Sequence, residues 1–196
     1  MTSHAHKTSS ATSRRRAVFL DRDGTIAEEV GYLNHLSRFR IYPFAAAAIR
    51  RLNQAGVPVV VVTNQSGVAR GFFPEELVHR VHQHMSAELG ASGARLDAIY
   101  YCPHKDEDDC GCRKPRPGLL ERAAREHHLE LPGSSLVSDR YADLEMGHQV
   151  GCRTVLVLTG YGRGELEWNR ARWLRQPDWI AEDLRAAVDV ILKEIR

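Results

Sequence analysis

Asp21 and Asp23 stand one residue apart in the stretch Phe19-Leu-Asp-Arg-Asp-Gly-Thr25, where an apolar run ends. Two carboxylates this close repel one another and are costly to desolvate, so a cation is expected beside them. Mg2+ suits the place: it takes oxygen ligands, keeps several waters and bridges to phosphate. Next to such an ion a carboxylate can attack phosphorus and form an aspartyl phosphate, the role expected of Asp21. Asp23 could protonate the leaving oxygen and later deprotonate a water. Taken alone, the motif reads equally well as a turn with an Asx cap.

Other residues supply what phosphoryl transfer needs, which is positive charge and hydrogen-bond donors around the equatorial oxygens. The hydroxyl of Thr63 and the amides of Asn64 and Gln65, with Ser66 following, end a β-branched run. Lys114 lies in Arg113-Lys-Pro-Arg-Pro-Gly118, ahead of a helix whose N-terminal dipole favours anions. Asp139 is expected as a third Mg2+ ligand, and Asp143, four residues on, as an orienting or capping carboxylate. A second donor set is softer. Cys102-x-His104-x5-Cys110-x-Cys112 offers four ligands for tetrahedral Zn2+ with no position left for water, so a structural site is expected. Residues 103–111 are too polar to fold by packing, and the zinc would clip this loop and anchor Arg113 and Lys114 just beyond it.

These residues must be carried by a scaffold. The chain has 196 residues, 27% charged and 43% hydrophobic, which is ordinary for one globular domain. Apolar runs at Val18–Leu20, Val57–Val62, Asp97–Tyr101, Ser135–Val137, Arg153–Leu158 and Asp178–Ile180 predict strands. They alternate with helices predicted over Ala45–Leu52, Pro74–Leu89, Pro117–His128, Tyr141–Val150 and Asp183–Ile195. This alternation predicts an α/β fold: a Rossmann-like parallel sheet with helices on both faces. Ligands of such sheets bind beyond the carboxyl ends of the strands, where four of the polar clusters fall.

The set Asp21-x-Asp23-Gly-Thr25, Thr63, Lys114 and Asp139-x3-Asp143 resembles the four motifs of the haloacid dehalogenase (HAD)-like phosphohydrolases, over about Ala17 to Leu158. The resemblance implies that Asp21 is the nucleophile and Asp23 the general acid/base. Thr63 and Lys114 would bind phosphate, and Asp21, Asp23 and Asp139 would hold Mg2+. The stretches FLDRDGTI, GYL, VVVTNQSGVARG, IYYCPH and CGCRKPRPG look like the heptose bisphosphate phosphatases within that superfamily, with the histidinol-phosphatases as cousins. That likeness implies a sugar-gripping loop at Glu29, Val30, Gly31 and Tyr32, recognition of the substrate's second phosphate or sugar by Arg113, and Arg140 where the family often has Lys. Ser138 replaces a usual Gly, with little consequence expected. No large cap is visible, so the site should be open.

The expected function is a cytoplasmic, monomeric, Mg2+-dependent sugar-bisphosphate phosphatase. Its rivals are a histidinol-phosphate phosphatase and a non-catalytic zinc-containing binding module, for which paired acids would have no use. A polynucleotide 3′-phosphatase would want a basic groove with aromatic platforms; the sequence shows none, and a net charge of +2 does not argue for nucleic acid. No apolar run approaches membrane-spanning length. Met1–Arg16 reads as a disordered tail and 17–196 as a single domain. His79, His82 and His84 are expected on a solvated helix face, Cys152 as a buried apolar residue, and Trp168, Trp173 and Trp179 as packing for the C-terminal segment.

Overall fold

The computed structural model describes residues 14–195. Most of the expected tail lies outside that range. Its last two residues do not belong to a tail, because the first strand, β1, begins at Arg15 and runs to Leu20. The other strands are β2 (Val59–Asn64), β3 (Ala98–Cys102), β4 (Leu129–Ser138), β5 (Arg153–Val157) and β6 (Trp179–Ala181). They form one sheet in the order β3-β2-β1-β4-β5-β6, with every neighbouring pair parallel.

The period-two alternation of the strands sorts their side chains between two cores. Val18, Leu20, Val59 and Val61 point to one face, where helices α1 (Ala45–Gln54), α2 (Glu75–Ala91) and α6 (Leu184–Ile195) cover them. Ala17, Phe19, Val60 and Val62 point to the other, under α3 (Gly118–Glu126) and Met146 of α4 (Tyr141–Gln149). Both faces are dry, which is why the strands read as unbroken apolar runs. Between β5 and β6 a single helical turn, α5 (Gly162–Gly164), leads into an irregular helical stretch. Here Trp173 is buried, its ring stacked on Tyr141 with centroids 5.0 Å apart. Trp168, expected to pack, is 74% exposed.

β4 starts six residues before its predicted N-terminus. Pro132 and Gly133 look like a turn, yet they occupy an irregularity in the β1–β4 register, where Arg16 pairs with Glu130 but Val18 with Ser135. Extra residues at such a bulge tolerate a Pro that a regular ladder would reject.

Strand order reverses direction on either side of β1, and α/β sheets open a crevice at such a point. Asp21 follows β1, Asp139 follows β4 and Thr63 lies at the end of β2, so the topology gathers all three at that crevice.

Candidate active site

The backbone just beyond β1 is fixed first. The Asp21 amide donates to the Val137 carbonyl at 3.0 Å, extending the β1–β4 pairing by one residue. The chain then turns back on itself: the amides of Ile26 and Ala27 both donate to the Arg22 carbonyl, and the Gly24 amide to that of Ala27. Thr159 Oγ1 closes the loop onto the Gly24 carbonyl at 2.5 Å. The hydroxyl of Thr25, also buried here, has no partner among the described residues.

Asp21 Oδ1 accepts from the Arg22 amide at 2.8 Å and lies 2.9 Å from Lys114 Nζ. Among the described residues no hydrogen bond reaches Oδ2. Lys114 is buried, and its ammonium also donates to Asp143 Oδ2 at 2.6 Å and to the Val62 carbonyl at 3.2 Å. Burial alone would lower its pKa, but the Asp143 and Asp21 carboxylates override this and hold the ammonium charged. Ser138 Oγ donates to the same Asp143 oxygen at 2.7 Å and accepts from the Arg140 amide at 3.1 Å. The replacement of the usual Gly therefore does have a consequence: it adds a hydroxyl to the chain Asp21–Lys114–Asp143–Ser138.

Asn64 and Gln65 line the cavity, but their side-chain amides are engaged with protein. Asn64 clasps the Lys114 backbone, donating to its carbonyl at 3.2 Å and accepting from its amide at 3.1 Å. Gln65 Nε2 donates to Thr63 Oγ1 and to Asp23 Oδ2, each at 3.0 Å, and the Gln65 backbone amide is spent on the Cys102 carbonyl. Thr63, accepting from Gln65, keeps its own proton to donate.

Asp139 is fully buried. Its Oδ2 accepts from the Tyr161 amide at 2.8 Å, while Oδ1 has no partner among the described residues. Burial, and then the charge of Asp21, push its carboxyl up to about 8. The carboxylate is cradled by glycines: a Cβ on Gly24 or Gly160 would come within 2.0 or 2.1 Å of Oδ2. A buried acid with an orphaned oxygen, its carboxyl raised by the charge of Asp21, fits a hard cation. The Asp23 carboxylate does not turn the same way. Arg22 grips it from Nε at 3.0 and 3.1 Å and from Nη2 at 2.7 Å. Accordingly, the three carboxylates do not draw together as tightly as the cysteine cluster does.

That cluster has the expected form. The sulfurs of Cys102, Cys110 and Cys112 and Nδ1 of His104 all lie within 4.8 Å of one another, with sulfur–sulfur separations of 3.2–3.5 Å. A zinc tetrahedron with Zn–S bonds of about 2.3 Å has edges of about 3.8 Å, so the donors fit after moving a few tenths of an ångström. Cys102 is buried at the end of β3, His104, Cys110 and Cys112 are half-buried, and residues 106–109 face solvent.

The cavity above Asp21 has a volume of about 490 Å³. Besides the residues already named, its walls include Glu29, Gly31, Tyr32, Ser66, Arg113 and Arg140. Val30, expected among the sugar contacts, is not in that wall; it packs against the core. Glu29 Oε1 accepts from the Gly31 amide at 2.6 Å, shaping the loop, and burial raises its carboxyl above the ordinary range. Arg140 lies over the Tyr161 ring, 3.9 Å from its centroid. Arg113 is aimed by the zinc loop: Nε and Nη2 donate to the two Asp106 carboxylate oxygens at 2.7 and 3.2 Å, and Nη1 to the His104 carbonyl at 3.3 Å. Asp106 and Tyr161 were not singled out in the sequence. Asp106 is the first of four consecutive acids, and its pairing with Arg113 and with Arg70 is visible only in the fold.

Comparison with known proteins places this geometry. The chain is 42% identical, over 90% of its length and 95% of the relative's, to the D-glycero-D-manno-heptose-1,7-bisphosphate 7-phosphatase of Thermosynechococcus vestitus. The chain belongs to that phosphatase family. A family model described as HAD-hydrolase-like matches residues 111–187. Among solved structures, the D,D-heptose 1,7-bisphosphate phosphatase of Bordetella bronchiseptica, complexed with magnesium and phosphate, superposes with a TM-score of 0.84. It is 37% identical, covering 91% of this chain and 99% of that one. The Burkholderia thailandensis enzyme of the same description gives a TM-score of 0.69 at 31% identity, with the same coverages. Membership of this phosphatase family makes the chain a phosphatase of the HAD superfamily, as the motifs implied, with the parallel sheet expected of it.

Proposed function

We propose that the chain removes the 7-phosphate from D-glycero-D-manno-heptose 1,7-bisphosphate through a phosphoaspartate on Asp21. One observation carries the reading. At the base of a polar cavity, Lys114 and the Arg22 amide hold one oxygen of Asp21 and leave the other without a partner among the described residues. Oδ2 is thus the attacking atom, and its lone pair is aimed by the fixing of Oδ1.

Asp21 Oδ2 attacks phosphorus as the P–O bond to the sugar breaks, and Asp23 gives the departing oxygen its proton. Asp23 then takes a proton from the water that hydrolyses the phosphoaspartate. Lys114 and the hydroxyl of Thr63 stabilise charge on the transferring oxygens, with Ser66 on the same wall. Asp21 and Asp139 would hold Mg2+, which would neutralise the carboxylates and the phosphate so that the anions can meet, while the Asp23 carboxylate, engaged by Arg22 and Gln65, keeps its role with the proton. Arg113 and Arg140 leave cationic positions for the second phosphate, and Glu29, Gly31 and Tyr32 face the sugar.

The zinc is structural and the working unit is a single-domain monomer whose fold begins with β1 at Arg15. No helix of the described residues is long and apolar enough to cross a membrane. All four cysteines are free thiols, three of them in a metal-type cluster, which suits the reducing cytoplasm. Against the binding-module reading, Asp21 and Lys114 form a buried ion pair facing a cavity, an expense no docking surface requires.

The test is kcat/KM for the heptose bisphosphate, histidinol phosphate and an aryl phosphate, with wild type and Asp21→Asn. Preference for the bisphosphate and at least a thousandfold loss in the variant are expected. Preference for histidinol phosphate would overturn the substrate, and a loss of less than tenfold, under about 1.4 kcal/mol, would overturn the nucleophile.

A further inference from the structure

Arg22 is the largest fully buried side chain of the described residues, with 1% of its surface exposed, and the chemistry above gives it no task. Burying a guanidinium costs several kcal/mol unless its donors are satisfied. Here they are. Nε and Nη2 fork onto Asp23, Nη1 meets His82 Nε2 of α2 at 3.3 Å, and the guanidinium carbon lies 5.9 Å from the Phe39 ring centroid. His82 is itself buried, with the Tyr101 ring edge-on to it at 5.5 Å. Burial and the neighbouring guanidinium keep it neutral, with a pKa of about 3, so its Nε2 can accept where an imidazolium would repel.

The donors on Asp23 are unevenly shared. Oδ2 receives Arg22 Nη2, a longer contact from Nε, and Gln65 Nε2; Oδ1 receives Arg22 Nε alone. A carboxylate held this way cannot rotate, and the oxygen with room for a proton is Oδ1.

We propose that Arg22, braced from α2 by His82, is the positioning residue that aims Asp23 Oδ1 as proton donor to the leaving group. The inference rests on the phosphoaspartate reading, in which the sugar–phosphorus bond breaks as Asp23 supplies the proton. It adds that the aim of that proton is set from the helix that covers the sheet rather than from the catalytic loop itself.

An alkoxide leaves poorly without a proton, whereas p-nitrophenolate leaves without one, and kcat/KM reports the steps up to leaving-group departure. The experiment therefore measures kcat/KM for an alkyl phosphomonoester and for p-nitrophenyl phosphate in wild type, Asp23→Asn, Arg22→Ala and His82→Leu. In Arg22→Ala the alkyl ester should lose at least thirtyfold and the aryl ester less than threefold, with millimolar guanidinium restoring part of the alkyl loss. His82→Leu, which replaces a buried ring by an apolar group, should show the same selectivity at five- to tenfold, and it carries the test if Arg22→Ala does not fold. Equal losses for both esters in whichever variants fold would overturn the proposal. An Asp23→Asn enzyme without selectivity between the esters would instead overturn the acid/base reading beneath it.

Discussion

Lys114 Nζ lies 2.9 Å from Asp21 Oδ1, and both groups are withdrawn from solvent. The ammonium is shared with Asp143 at 2.6 Å, so one cation balances two carboxylates in a dry crevice. Removing it would leave two buried charges unpaired, which is more damaging than the loss of a surface pair.

Lys114→Met should therefore lose stability by roughly 3 kcal/mol as well as at least a thousandfold in kcat. Urea unfolding and steady-state kinetics separate the effects. A variant as stable as wild type would show that the pair does not carry the charge balance described.

Gly160 has a φ of +52°, and a Cβ there would come 2.1 Å from Asp139 Oδ2 and 2.6 Å from the Gly24 Cα. Neither backbone nor buried carboxylate can give way cheaply. Gly160→Ala should push Asp139 from its place and raise the Mg2+ concentration for half-maximal activity by about tenfold, a loss of roughly 1.4 kcal/mol. Magnesium titration of activity, checked by calorimetry, reads this directly; an unchanged midpoint in a folded variant would remove Asp139 from the metal site.

Much of this arrangement could be read before any coordinates. Unbroken β-branched runs such as Val59–Val62 announce strands covered on both faces, and the polar clusters after them fall where parallel sheets bind ligands. The metal-type cysteine spacing was equally plain. What stayed hidden is the pairing of side chains across elements. Asn64 looks like a phosphate donor but is spent on the Lys114 backbone 50 positions away. Ser138 looks like a neutral replacement for glycine, yet its hydroxyl finds Asp143. His82 shares a helix with exposed histidines, and only the packing of α2 beside Arg22 and Tyr101 shows that it is buried. Such partners are set by packing geometry, which local sequence does not encode.

The zinc loop aims Arg113 through Asp106 and the His104 carbonyl, both within the four-ligand loop. Cys110→Ala should lose the zinc, free that guanidinium, and raise KM for the bisphosphate about tenfold with a smaller fall in kcat. Metal analysis of the purified variant establishes the loss; unchanged kinetics in the zinc-free protein would mean that the clip does not position Arg113.

His82 gives a distinct acid signature. Arg22, His79 and the Tyr101 ring are the groups facing it, and burial first, then the Arg22 guanidinium, lowers its pKa from 6.5 to about 3. The unfolded chain takes up a proton below pH 6.5 while the folded protein does not, so the folded state is fully favoured above that pH. Its stability falls as the pH drops from 6.5 towards 3, by about 1.4 kcal/mol per pH unit. At pH 5 this single group should have cost roughly 2 kcal/mol, an upper figure because some relaxation accompanies charging. His82→Leu lacks the group, so its unfolding free energy should decline less than that of wild type between pH 7.5 and pH 5, by about that amount. Urea titrations of both proteins at the two pH values give the difference; parallel declines would show that His82 is hydrated, and the brace on Arg22 would go with it.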